Sequence, residues 1–314
     1  MISHDVVQEK DSACGQRHDH GSGRASAPAN AAVITLGHVS LSFYEATASL
    51  VQFILERKGW NVALQSGSHA QIFPKVAVGD VDLFVAAWLP YAHADYWKEY
   101  GDRLVKVSTL YEDAQLYWAV PDYVPAEAVR SVADLARPEV AARMTKTIRG
   151  TLPDSGLMIG SRKIFEHYRL SEAGYELVPG PAPEWLANFN ARVAAKDWFV
   201  MPLWRPQFLN KAHRLRVLDE PQQFLGGPNK AMLVANAEFY ERLNKKQRLP
   251  LSRIEVSVKA VTELDYWVNV DKMSPRDAAR RWIGMNPNTV TYWIEDPEGD
   301  GARRDAVKLQ QRHP

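Results

Sequence analysis

The chemically distinctive side chains of this sequence are its rings: ten tryptophans and twelve tyrosines in 314 residues. Three tryptophans fall at or near the ends of apolar runs. Trp88 closes "DLFVAAW", Trp118 lies within "QLYWAVP", and Trp204 closes "WFVMPLW". An aromatic face is electron-rich and attracts a cation. A quaternary ammonium suits it because it is charged yet donates no hydrogen bond, and each contact contributes about 0.5–2 kcal/mol. Three or four such contacts can dominate a micromolar site, which is worth ~8 kcal/mol. A zwitterionic ligand also needs donors for its carboxylate. His93 is one candidate; the free backbone N–H groups of helix starts near Ser42–Phe43 and at Asp154, Ser155 and Gly156 are others. The competing explanation for any ring is core filling. It fits Trp60, Trp97, Trp185, Trp267, Trp282 and Trp293, which fall on helix faces or strand starts.

Other chemistries lack their residues. The chain has no phosphate-cradling G-x-x-x-x-G-K-[ST] loop, no G-x-G-x-x-G dinucleotide turn and no H-E-x-x-H zinc helix. It has no G-x-S-x-G nucleophile elbow. The single cysteine, Cys14, excludes an intrachain disulfide and a multi-cysteine metal site. No catalytic residue, metal ligand set or cofactor is expected. A net charge of +1 without a basic block offers nucleic acid no surface. No apolar run reaches the roughly 18 residues of a membrane-spanning helix.

The elements that must position the rings alternate between strand and helix. "VITLGHV" reads as a strand. A helix follows from Ser42, which forms an expected capping box with Glu45, to a stop at Gly59. "WNVAL" is a second strand, and a helix capped by Ser68 and Gln71 runs to Gly79. "DVDLFVAAW" is the third strand. This order predicts a parallel sheet with crossover helices, and open sheets of that kind bind ligands beyond the carboxyl ends of their strands. Further on, "SVADLARPEVAARM" predicts a helix pair, "TKTIRG" and "YELVPG" strands, and the turn at Ser155 and Gly156 a helix start. "FLGGPNKAMLVAN" is a return crossing. The remainder is mainly helical, with Ser274 as a cap, Pro275 in the first turn and Pro287 just beyond the end.

One block is specific enough to carry a resemblance. "GDVDLFVAAWLPYAHADYWKEYGDRL" resembles the signature of glycine betaine, choline and proline-betaine substrate-binding proteins of ABC-type importers. Supporting pieces are "LYEDAQLYWAVPDYV", "PDSGLM", "LWRPQF", "EPQQFLGG" and "SPRDAARRWI". The resemblance spans about Val33 to Ile294. It implies an α/β, two-lobed Venus-flytrap fold, each lobe a mixed sheet flanked by helices, closing on a ligand in an aromatic cage. By position Trp88 and Trp204 match cage tryptophans, and Tyr117 or Trp118 lies in a strand that carries a cage tyrosine in some members. The tryptophan usual after the first strand is missing, and Phe43 or Tyr44 stands in its place. Gln207 replaces a second-lobe histidine that contacts the ligand carboxylate in some members.

The implied organisation is a disordered tail over 1–32, a first lobe over 33–120 plus 224–296, a second lobe over 121–223, and a polar tail over 297–314. The implied partners are a small quaternary amine or zwitterion, and a permease and ATPase on separate chains. A periplasmic location follows from the resemblance. The first 32 residues contain no apolar core of about 7–15 residues such as a secretory signal needs, which leaves a cytoplasmic location open. Three alternatives stay open beside the importer component: a cytoplasmic ligand sensor or buffering protein on the same fold, a binder of a different small amine or zwitterion, and an enzyme acting on a betaine-like molecule.

Overall fold

The computed structural model describes residues 33–295. The expected tails over 1–32 and 297–314, and the reading of a signal segment, lie outside the described residues. The first unit follows the predicted alternation. Strand β1 (Val33–Val39), helix α1 (Ser42–Arg57), β2 (Asn61–Gly67), α2 (His69–Val78) and β3 (Leu83–Leu89) succeed one another. β1 lies between β2 and β3, parallel to both. β3 is buried at all seven positions, as an apolar run covered on both faces requires.

Helix α1 buries Leu50, Val51, Ile54 and Leu55 on one face. Its start departs from the sequence reading. Leu41 is the N-cap, and Ser42 makes no capping box with Glu45. The Ser42 hydroxyl instead donates to the Asp265 carboxylate at 2.5 Å. Helix α2 has its expected box between Ser68 and Gln71 and ends at Gly79, whose φ of 86° a side chain would strain.

After α3 (Ala94–Tyr100), β4 (Leu104–Pro121) runs for 18 residues, longer than the strand predicted around "QLYWAVP". It changes partners along its length. From Leu104 to Ala114 it pairs antiparallel with the return strand 229–236, and from Gln115 onward with two strands drawn from 201–217. Next come α4 (Pro138–Ala141), β5 (Thr147–Arg149), α5 (Gly156–His167), β6 (Glu176–Val178) and α6 (Ala182–Ala195). β5 and β6 form a separate parallel pair. The predicted helix pair near residue 135 is only a 3₁₀ turn, Val132–Ala136, and the single turn of α4. Pro138 explains the break, because it holds Arg137 in an extended conformation.

β7 (Met201–Arg205), α7 (Leu209–Ala212), β8 (Leu215–Val217) and β9 (Asn229–Asn236) complete the strands. The main sheet reads β2-β1-β3-β9-β4-β7, with β8 also on β4. It is mixed, because β9 runs antiparallel to both β3 and β4. Helices α8 (Ala237–Arg242), α9 (Lys245–Arg253), α10 (Val258–Asn269), α11 (Pro275–Met285) and α12 (Pro287–Ile294) close the described chain. Ser274 caps α11, with Pro275 in its first turn, and Pro287 both follows α11 and opens α12. Trp282 and Trp293 stack at 5.6 Å between these two helices, in the packing role expected of them. No described helix is long and apolar enough to cross a membrane.

β3 carries the load of the first unit. Phe84 is fully buried there and meets Phe73 of α2 edge-on at 5.0 Å. Phe84→Ala is expected to cost about 3–5 kcal/mol in a denaturant titration. A loss below about 1 kcal/mol would mean that this layer is not the core.

Candidate functional site

β3 emerges from the sheet at Trp88, and the turn after β1 delivers Phe43 and Tyr44 in the first turn of α1. β7 delivers Trp204. These four rings meet. Phe43 lies 5.7 Å from Trp88, 5.9 Å from Trp204 and 4.2 Å from Tyr44 by ring centroids. Tyr44 lies 6.1 Å from Trp88. All four are at most 5% exposed. They line a small cavity of about 30 Å³. His69, His93, Ser155, Gly156 and Thr151 complete most of its polar wall, with Leu41, Ala92, Leu116 and Leu157 between them.

Each ring is held from behind. The backbone N–H of Trp88 donates to His93 Nδ1 at 2.9 Å, and its indole N–H donates to the Tyr111 hydroxyl at 3.0 Å. Trp185 stacks on Trp204 at 5.0 Å, so the expected packing ring backs a cavity ring. His93 therefore orients Trp88 through one nitrogen. A nitrogen that accepts carries no proton, which leaves the ring proton on Nε2. Ser155 is the N-cap of α5: its hydroxyl donates to Leu152 O at 2.7 Å and accepts from the Met158 N–H at 3.2 Å. Gly156 opens α5 against the turn after β3. A β-carbon here would fall 2.0 Å from the Ala92 carbonyl oxygen, so only glycine allows this approach.

Three expected site residues stand outside this lining. Trp118 is 1% exposed and donates its indole N–H to Ser161 Oγ at 2.8 Å; that bond draws it toward α5. Tyr117 projects to the other side of β4, where its hydroxyl donates to Asn210 Oδ1 and to the Trp204 carbonyl. Tyr117 and Trp118 instead border a neighbouring cavity of about 270 Å³ with Glu220 and Gln223. Gln207 is buried and engaged locally, its side-chain oxygen accepting the Leu209 N–H at 2.7 Å. Residues the sequence reading missed are His69, Thr151, Leu41, Leu116 and Leu157 in the lining, and Tyr111 behind Trp88. His69 had a usable signal, since it is the first residue of a capped helix that follows a strand.

The site carries no built-in positive charge. None of the lining residues is lysine or arginine. Burial lowers the two histidines: His69 to about 4, against the opposing pull of Asp154, and His93 well below its usual value, with His69 adding to the effect. Both are neutral at pH 7. Burial alone would raise the Asp154 carboxyl, but the Ala70 N–H, the Ser68 hydroxyl and His69 hold it below the usual range. Asp154 Oδ2 accepts the Ala70 N–H at 2.8 Å, at the start of α2, and the Tyr96 hydroxyl donates to the Asp154 carbonyl at 3.0 Å. Two buried nitrogens in the wall, His69 Nδ1 and the indole N–H of Trp204, have no hydrogen-bond partner among the described residues. Among the described residues no three His, Cys, Asp or Glu side chains gather as a metal site.

The lowered histidine has a sign that can be measured. Below about pH 6.5 the unfolded chain protonates His69, while the folded chain resists until about pH 4, so His69 removes stability as pH falls through that window. Asp265, raised to about 6, acts in the opposite sense between pH 6 and 4. The test is therefore differential. The melting temperature of the wild type should fall relative to that of His69→Asn between pH 7 and 4.5. A constant difference would show that His69 titrates normally.

The chain has relatives among known proteins. The glycine betaine/carnitine transport binding protein GbuC of Listeria monocytogenes is 22% identical over 175 residues, 55% of this chain and 57% of that protein. The matched region thus spans little more than half the length of that relative. Lactococcal OpuAC in its closed form with glycine betaine superposes with a TM-score of 0.75 at 22% identity, covering 84% of this chain and 99% of that one. An ABC-transporter choline-binding protein in complex with choline also gives 0.75, at 18% identity, covering 88% and 98%. These likenesses establish the two-lobed α/β fold of periplasmic binding proteins. Residues 32–284 match the family model described as the substrate-binding domain of ABC-type glycine betaine transport systems, and the chain belongs to that family, OpuAC.

Proposed function

We propose that this chain is the solute-binding component of an ABC-type importer and captures a quaternary-ammonium compatible solute such as glycine betaine or choline. The observation that carries the reading is the convergence of Phe43, Tyr44, Trp88 and Trp204 on one buried cavity without a lysine or arginine in its wall. Phe43 takes the place of the missing first-loop tryptophan. The methylated cation sits among these rings. Its polar end meets the unpartnered indole N–H of Trp204 and, with the ring proton on Nδ1, His69, alongside Gln207. Ser155, Gly156 and His93 frame that end.

The lobes comprise 33–120 with 224–296, and 121–223. Support comes from β4, which exchanges β9 for β7 and β8 along its length. The Asp154 bonds to Ala70 and Tyr96 and the contact of Gly156 with Ala92 then cross from lobe to lobe. Ligand contacts on both sides add to these and favour closure. The closed form docks on a permease, with an ATPase on a further chain, and the solute leaves unchanged. Family membership supports a site of action outside the cytoplasmic membrane.

Calorimetry with glycine betaine, choline, carnitine and non-quaternary amines tests the reading. A quaternary amine should bind below about millimolar, and Trp88→Ala and Trp204→Ala should each weaken it by at least about 1 kcal/mol. If no quaternary amine binds, or if both variants bind normally, the site lies elsewhere. Release of a chemically altered ligand, seen by NMR, would favour an enzyme instead.

A further inference from the structure

Asp265 of α10 is a fully buried carboxylate that the proposed capture step does not use. Oδ1 accepts from the Ser42 hydroxyl at 2.5 Å and from Asn269 Nδ2 at 2.9 Å, and Oδ2 accepts the Phe208 N–H at 2.7 Å. All three donors are neutral. A buried carboxylate without a cation is costly to keep ionised. Its position is informative. Ser42 immediately precedes Phe43. Phe208 lies four residues beyond Trp204. The Tyr111 hydroxyl that holds Trp88 feels the Asp265 charge, which adds to burial in suppressing its ionisation. One carboxylate thus holds the residue before Phe43 and the backbone shortly after Trp204, within electrostatic reach of the hydroxyl that holds Trp88.

Among the described residues, the groups that act on it supply no positive charge. From α1 the titratable neighbour is Glu45, and from β4 it is Tyr111. From the start of α7 it meets the Phe208 N–H, and Lys211 on that helix is paired with Glu263. Asn269 is the donor from its own helix.

We propose that Asp265 is the counter-charge of the cavity: its ionised carboxylate makes the site prefer a cation over a neutral molecule of the same shape. The inference rests on the cavity being a cation site. Rings alone attract a cation through their quadrupoles, and a fixed anion behind them adds a longer-ranged attraction in a medium of low dielectric. Burial raises the Asp265 carboxyl to about 6, against the lowering effect of its three donors and with Glu45 adding to the rise. A bound cation stabilises the ionised form, so binding near pH 6 releases a proton.

The experiment is calorimetry with choline and with its uncharged carbon isostere, 3,3-dimethyl-1-butanol, on the wild type and on Asp265→Asn from pH 5 to 8. The variant should bind choline about tenfold more weakly and the isostere within about twofold of wild type. Wild-type choline affinity should rise from pH 5 to 7, and the variant's should stay flat. Equal losses for both ligands would reduce Asp265 to a structural tie, and unchanged choline binding would remove it from recognition. If Asp265→Asn does not fold, the wild type decides. Proton release at pH 6, read from buffers of different ionisation enthalpy, supports the counter-charge, and its absence overturns it. Wild-type protein that binds neither choline nor glycine betaine would sink the cation-site reading itself, a result distinct from a failure of Asp265 alone.

Discussion

The arrangement depends on keeping a large, partly polar ring upright in an apolar layer. Trp88 has a backbone N–H and an indole N–H, and both are buried where water cannot reach them. His93 Nδ1 takes the first and the Tyr111 hydroxyl the second. The choice propagates. His93 must stay neutral to accept, which its burial enforces. The turn that brings His93 back toward Trp88 must be rigid, and Asn229 Oδ1 fixes it by accepting the N–H groups of Tyr91 and Ala92 at 2.9 and 3.0 Å. That turn presents the Ala92 carbonyl, against which Gly156 packs. A single ring's hydrogen-bond requirements thus reach the opposite wall of the cavity.

Electrostatically the wall of the cavity is uncharged. Its histidines are neutral, its lining has no lysine or arginine, and the acids around it are held by neutral or backbone donors. Such a site repels nothing cationic and stabilises nothing anionic except through single N–H groups. The wall presents ring faces and, at His69 Nδ1 and Trp204 Nε1, unpaired nitrogens.

What the sequence made legible was local. The alternation of β1, α1, β2, α2 and β3 followed from apolar runs, caps and glycines, and so did the position of Trp88 where β3 ends. The convergence of Trp88 with Trp204 was legible from the rule that ligands bind beyond strand ends. What stayed hidden involved partners far along the chain. Ser42 looks like a cap, but its hydroxyl is claimed by Asp265, 223 residues away. Trp118 looks like a cage ring until Ser161 draws its indole aside. Gln207 gives no sign in the sequence that its own turn uses its side-chain oxygen. His69 occupies an ordinary first-turn position, and only the packing of His93 at 4.8 Å beside it reveals that it is sealed in the cavity wall.

The stacking of Trp185 on Trp204 also has an optical consequence. Two indoles 5.0 Å apart share their excited states, so their near-ultraviolet circular dichroism belongs to the pair. Any shift of Trp204 against its neighbour alters that signal directly. The second stacked pair, Trp282 on Trp293, sits between α11 and α12 with neither ring in the cavity wall, and it supplies a constant band in the same spectrum. The chain carries both a chromophore that senses the cavity and an internal reference, without any added label.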